Sequence, residues 1–322
     1  MCTAISYNST HHYFGRNLDL ERSYGEQITI TPRNYPFKFR CGKTFNTHYA
    51  MIGMAAIADN YPLYFEATNE TGLSLAGLNF PGNAVYSPFC EGKNNIAPFE
   101  LIPWILAQCR TVDDANAKLG QLNLLNERFS KQYPLSPLHW LLSDKSKSIV
   151  VECTDEGIKL YNNAVGVLTN NPPFPYHLHN ISNFMQLTNA PPTNKQPITL
   201  QPYSLGLGSF GLPGDMSSGS RFIKAAFTKM HSRCDSTEES AIVQFFHILG
   251  SVCQQRGLTQ LPTGEYEYTM YSSCCDTSTG TYYYTTYENP ANNAVSMQRV
   301  DLNRKDLISF PMQKELRIHY QN

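Results

Sequence analysis

Nowhere does this sequence of 322 residues hold the uninterrupted apolar run of about 18 positions that a membrane-spanning helix needs. Its first residues carry neither a basic region nor an apolar core, so no secretory signal is read there. Cytoplasm is the expected compartment, and no membrane partner is expected. Charge is sparse: charged residues make up 16% of the chain and the net charge is −1. Such a surface gives no steering field for nucleic acid, which is excluded as a main partner. There is no Cys-x-x-Cys among the nine cysteines (2, 41, 90, 109, 153, 234, 253, 274 and 275), and their number is odd. A zinc knuckle, a redox motif and a disulfide framework are therefore not expected. Gly-rich phosphate loops and dinucleotide fingerprints are lacking too, so no cofactor is implied. His177-x-His179 has metal-like spacing on a possible strand, but no acidic or Cys partner lies near it, and no metal site is read.

What the chain does have is aromatic residues, 20 Tyr and 17 Phe, beside many β-branched ones. That mixture favours sheet. Alternating segments ended by turn signals predict strands over 28–32, 49–58, 73–78, 148–154, 158–161 and 166–168, with a late hairpin, 266–273 and 281–287. Cys274-Cys275 falls in a strand context, where the two face opposite sides. Helical spacing predicts helices over 99–109, 115–122, 221–230 and 241–249, the second preceded by a capping-box pattern at Thr111–Asp114 and the last by Ser236-Thr-Glu-Glu239. Strands, then helices, then strands again argue for α+β layers rather than strict βαβ alternation. No linker divides the chain, so residues 1–322 are read as one domain. Ala190–Gln196 is read as a surface loop and His11-His12 as an exposed turn.

The chemistry starts at Cys2, directly after Met1. Aminopeptidases remove an initiator methionine when the next residue is small. The chain would then begin with a thiol and a free α-amine on one residue. An α-amine titrates at about 7.7–8.0, near neutral pH, which suits a base. Nucleophile and base would share one residue, as in N-terminal-Thr catalysis.

If residues 3–8 form a strand and 9–12 turn, residues 13–19 return alongside Cys2. Arg16 could then lower the thiol's pKa, and Asp19 could orient the α-amine. Strict alternation points 16 and 19 to opposite faces, so a shared site requires a bulge or a strand end. Asn79 (in Leu-Asn-Phe-Pro-Gly) and the Asn170-Asn171-Pro172 stretch stand at strand ends. There a backbone N–H or an amide can serve a developing oxyanion. Arg221 stands at a predicted helix start, where a cation opposes the macrodipole, which implies an anionic or polar partner.

Met-Cys-Thr-Ala, Phe-Gly-Arg-Asn-Leu-Asp, Gly-Leu-Asn-Phe-Pro-Gly, Leu-Thr-Asn-Asn-Pro and Ser-Arg-Phe occur in this order along the chain. Together they resemble the choloylglycine hydrolase family, which holds conjugated bile acid hydrolases and penicillin V acylases among the N-terminal nucleophile hydrolases. The resemblance covers essentially the whole chain and is strongest toward bile salt hydrolases of lactic acid bacteria. It implies a four-layer αββα sandwich with two mainly antiparallel sheets, no cofactor, and a homotetramer.

It also implies roles. Cys2 is the nucleophile and its α-amine the base. Arg16 sits against the thiol, and Asp19 holds the amine. The Asn79 N–H and the Asn171 side chain form the oxyanion hole, with the role placed on the second Asn of the pair, and Arg221 completes the polar network. Conjugated bile salts are the implied substrates, and the steroid needs an apolar pocket, for which Leu20, Tyr24, Ile57, Phe65, Leu135 and Leu138 are the candidate walls. Penicillin-preferring relatives typically carry Tyr at the position of Asn79. Penicillin V acylase activity and a catalytically dead bile-acid-binding protein are the alternatives.

Overall fold

The computed structural model describes residues 1–322 and contains two large antiparallel sheets lying face to face. The first runs in the order Val167–Leu168, Cys2–Asn8, His12–Leu20, Tyr266–Asp276, Thr281–Thr286, Asn293–Ser296, with Thr259–Gln260 added beside Tyr266. The second has eight strands in the order Gly157–Asn162, Ser148–Thr154, Leu138–Ser143, Ser74–Asn79, Tyr61–Asn69, Met51–Ala58, Gln27–Thr31, Ile308–Phe310. Helices Ser218–His231 and Glu238–Gly250 cover the outer face of the first sheet, and Leu101–Leu106 and Val112–Leu119 that of the second. The result is the αββα sandwich that the family resemblance implies.

Burial on both faces explains why Met51–Ala58 in the second sheet carries an apolar run where alternation was expected. Ile52, Met54, Ala76, Leu78, Leu141 and Val150 join the core between the sheets. Their neighbours Met51, Ala55, Leu75, Trp140, Leu142 and Val151 join a second core beneath Trp104 and Val112. A strand buried on both faces has no polar face to show.

The local readings hold in outline. The Thr111–Asp114 capping box forms: Thr111 Oγ1 accepts the Asp114 N–H and Asp114 accepts the Thr111 N–H, each at 3.1 Å. The strands Tyr61–Asn69 and Leu138–Ser143 fall outside the segments read as strands. Two readings are corrected. His12 is not in an exposed turn; it opens the strand His12–Leu20 and is buried, bonded to Ser6, Ser143 and Thr277. His177-x-His179 lies on the helix Phe174–Asn180, not on a strand, where the Pro172-Pro173 pair opens the helix.

Candidate active site

Cys2 begins the first strand and pairs with Leu18, so the hairpin Cys2–Leu20 carries Arg16, Leu18 and Asp19 back beside it, as expected. Cys2 belongs to the wall of a cavity of about 340 Å³ between residues 127–138 and strands of the second sheet. Leu20, Tyr24, Phe65, Leu135 and Leu138 line this cavity. Ile57 does not; its neighbour Ala56 does. Ala56 continues the alternation of Ile52 and Met54, which face between the sheets, so Ile57 falls on the opposite face with Met51 and Ala55.

Arg16 is fully buried on the cavity side of the hairpin. Its Nη1 donates to Gly77 O at 2.5 Å and to Phe65 O at 3.2 Å. These carbonyls belong to adjacent strands whose pairing stops at Glu66↔Ala76, so the guanidinium fills the gap where the strands part. Its Nη2 has no partner. Burial opposes the charge, yet Cys2, Tyr271, Glu66 and Asp19 together hold the guanidinium's pKa above its ordinary value. Glu66 lies 4.0 Å from Arg16 Nε and accepts from Tyr271, Ser273 and Tyr282.

Asp19 lies on the opposite face of the strand, as alternation requires. The bulge falls in the partner strand between Thr269 and Tyr271, not between 16 and 19. Arg16 shares the face of Cys2 and feels its charge, whereas Asp19, opposite Met1 on the other face, lies beside the chain's ammonium. Thr269 donates to Asp19 Oδ1 at 2.6 Å, while Oδ2 is buried without a partner. Burial raises the Asp19 pKa against the pull of Arg221 and the chain's ammonium, and lowers that of Arg221 against the pull of Asp19.

Arg221, one turn into its helix and fully buried, has the polar partners its position implied. Nη1 donates to Cys2 O at 2.5 Å and to Thr3 Oγ1 at 2.7 Å, and Nη2 donates to Asn170 Oδ1 at 2.7 Å.

Of the two adjacent asparagines, the structure brings Asn170 to the nucleophile. Asn170 Oδ1 accepts the Cys2 N–H at 2.9 Å, and Nδ2 donates to Asn79 O at 2.7 Å. Asn171 instead donates to Pro81 O at 2.6 Å. The strand ends at Leu168, so alternation gives no guide beyond it.

Asn79 sits on the cavity wall. Its neighbour Phe80 donates to Pro137 O, across to the strand Leu138–Ser143. Consecutive N–H groups of a strand point to opposite edges. The Asn79 N–H therefore points to the other edge, into the gap that Arg16 fills.

Met1 continues the first strand by one residue. Its ammonium donates to Glu267 Oε2 at 2.8 Å and to Asp19 O at 2.9 Å, while the Asp19 N–H donates to Met1 O at 3.1 Å. Glu66 and Glu267 are the site neighbours that sequence reading did not single out. No group of three or more His, Cys, Asp or Glu side chains is arranged to hold a metal ion.

A family model described as linear amide C–N hydrolases, choloylglycine hydrolase family, matches residues 2–310. The chain is 52% identical to a bile salt hydrolase/transferase of Lactiplantibacillus plantarum over 324 aligned positions, covering 100% of both chains. It is 39% identical to a conjugated bile acid hydrolase of Lactobacillus gasseri, covering 88% of this chain and 92% of that one. The crystal structure of a mutant conjugated bile acid hydrolase from Clostridium perfringens superposes with a TM-score of 0.92 at 36% identity, with 100% of each chain covered. A penicillin V acylase from Agrobacterium tumefaciens shares the fold, with a TM-score of 0.75 at 19% identity over 96% of this chain and 91% of that one.

Proposed function

The chain belongs to the choloylglycine hydrolase family, and we propose that it hydrolyses the amide of glycine- or taurine-conjugated bile salts with Cys2 as nucleophile. One observation carries this reading: Cys2 lies at the wall of an apolar cavity, with its nitrogen and carbonyl held by Asn170 and Arg221.

The reacting form lacks Met1. The free α-amine of Cys2 takes the thiol proton, and Asp19 Oδ2, buried and without a partner, receives an N–H of the resulting ammonium. The thiolate forms a bond to the acyl carbon, and the carbonyl electrons move onto oxygen. The second N–H of the Asn170 amide and the Asn79 backbone N–H meet that oxyanion. This assigns to Asn170 the role that the sequence reading gave to Asn171. Donors fixed in advance where charge develops usually speed such reactions more than any other single effect. Collapse breaks the C–N bond as the ammonium protonates the leaving amine. Water then cleaves the thioester. Arg16 stabilises the thiolate through its positive charge.

Asn79, where penicillin-preferring relatives have Tyr, favours bile salts over penicillin V. The reading carries a cytoplasmic enzyme that acts as a homo-oligomer. No helix is long and apolar enough to cross a membrane.

The test is cleavage of glycocholate, taurocholate and penicillin V, side by side, by the processed enzyme and by Cys2→Ala. The expected result is higher kcat/KM for a bile salt, and no turnover by Cys2→Ala with an unchanged circular dichroism spectrum. Preference for penicillin V, or activity near wild type in Cys2→Ala, overturns it.

A further inference from the structure

The reaction scheme above leaves unused three fully buried polar side chains beside Asn170: His139, Glu152 and His177. Each histidine faces a carbonyl of the segment that carries Asn170. His139 Nε2 lies 3.0 Å from Thr169 O, and His177 Nε2 lies 3.0 Å from Asn170 O. A carbonyl oxygen only accepts, so both Nε2 atoms carry the proton.

The two rings are anchored differently. His139, on the strand Leu138–Ser143 of the second sheet, stacks on Phe80 at 4.3 Å and faces Glu152 Oε1 through Nδ1 at 3.1 Å. It reaches from one sheet to the end of a strand in the other. His177 stacks on Phe222 at 4.8 Å, and its Nδ1 is buried with no partner. Burial lowers its pKa from the ordinary value, so near neutral pH the ring is uncharged with its single proton on Nε2.

That arrangement is a poor choice for packing alone. A buried nitrogen without a partner is unfavourable, and a phenylalanine would fill the same stacked place without that cost. What phenylalanine could not supply is the N–H on the Asn170 carbonyl.

The Asn170 segment needs such contacts because the sheet does not hold it. The strand Val167–Leu168 has already ended. The Asn170 N–H donates to Ser218 Oγ at 2.8 Å, and Thr169 Oγ1 donates to Ser218 O at 3.1 Å. The two histidines take the remaining carbonyls. Between these contacts the Asn170 amide meets Cys2 N, Arg221 Nη2 and Asn79 O at once.

We propose that His177, acting with His139, is a positioning residue for Asn170: its Nε2–H fixes the Asn170 peptide and so the angle at which the Asn170 amide meets Cys2 and the oxyanion. The proposal rests on the oxyanion role given to Asn170 above.

His177→Phe tests it, since that change keeps the stack on Phe222 and removes the N–H. Misplacement of a reacting group by about 1 Å costs about 10²-fold. We expect kcat on a conjugated bile salt to fall roughly 10- to 100-fold, with KM within about twofold and the same number of alkylatable Cys2 thiols per chain. His177→Gln, which can offer an N–H near the Nε2 position, is expected to recover most of kcat. Asn170→Ala is measured in parallel. A large kcat loss in Asn170→Ala beside an unchanged kcat in His177→Phe overturns the positioning role alone. An unchanged kcat in Asn170→Ala overturns the oxyanion role beneath it. A loss confined to KM, or a His177→Gln variant as slow as His177→Phe, also overturns the proposal. If His177→Phe does not fold, His177→Asn, too short to reach the carbonyl, takes its place with the same expectation. Failure of both to fold assigns His177 to stability and overturns it.

Discussion

A residue in front of Cys2 decides whether the thiol has a base beside it. While Met1 is present the nitrogen of Cys2 is an amide and donates to Asn170 Oδ1 at 2.9 Å. An amide nitrogen is no base near neutral pH, so the thiol has no local proton acceptor. Met1 is also well held, by Glu267 and by both backbone groups of Asp19, in the space beside the reacting amine. Active enzyme is therefore expected to show an intact mass lacking Met1. An uncleavable N-terminal extension is expected to abolish turnover, whereas a C-terminal tag leaves it unchanged. Full activity in a chain whose mass retains Met1 would remove the α-amine from the mechanism. At this scale the sequence was informative where a residue type is scarce in its chemistry, as with Cys2, Arg16 and Arg221. It was blind where two like residues adjoin. Asn170 and Asn171 differ only in which way a short non-ladder segment turns, and that is set by Ser218, His139 and His177, contributed by three other elements.

Among the elements, hairpins and caps could be read because their signals are local, as the Thr111–Asp114 box and the Cys2–Leu20 hairpin illustrate. The strand Tyr61–Asn69 could not, because Pro62 and mixed polarity conceal a strand buried by its neighbours on both sides. His12 was misplaced for a related reason. A histidine after Ser-Thr-His looks like a turn, but the packing of the second sheet against it makes it a buried strand residue. Its Nε2 lies 3.0 Å from Ser6 Oγ and 3.1 Å from Ser143 Oγ, and its Nδ1 lies 3.0 Å from Thr277 Oγ1. Burial pushes its pKa from 6.5 down to about 4, with Asp144 and Asp276 pulling the other way and Lys229 adding to the fall. The folded pKa lies below the unfolded one. The stability from the neutral ring is thus present above pH 6.5 and is lost as pH falls toward 4, roughly 3 kcal/mol in all. The unfolding midpoint is expected to drop less steeply between pH 6.5 and 4 in His12→Gln than in wild type. Parallel slopes in thermal melts across that range would assign the acid sensitivity elsewhere.

On the scale of the whole molecule, the two sheets bury their apolar residues efficiently, and the densest group of large exposed apolar side chains falls in one stretch. Met185, Ile198, Leu200, Tyr203, Leu205 and Phe210 all lie in a segment with almost no regular structure, and Leu205 is 95% exposed. A run of this kind is unfavourable against water, at about 25 cal/mol per Å² of apolar surface, unless something covers it. No other part of this chain does. The charge on the segment is also low, with Lys195 its one charged side chain between 185 and 210, so little repulsion would resist a second copy. Self-association through this segment is expected, in line with the homo-oligomer proposed above. Because the cavity around Cys2 draws its walls from residues 2–24, 56–79, 98–138 and 267, the segment is not part of the catalytic machinery. The paired change Tyr203→Ser with Leu205→Ser is therefore expected to lower the mass measured by light scattering to that of a smaller species. Turnover per chain should stay within about threefold, as for surface changes away from the site. An unchanged mass would mean that the oligomer is built on another face. A smaller species with lost turnover would mean instead that a neighbouring copy supports the site.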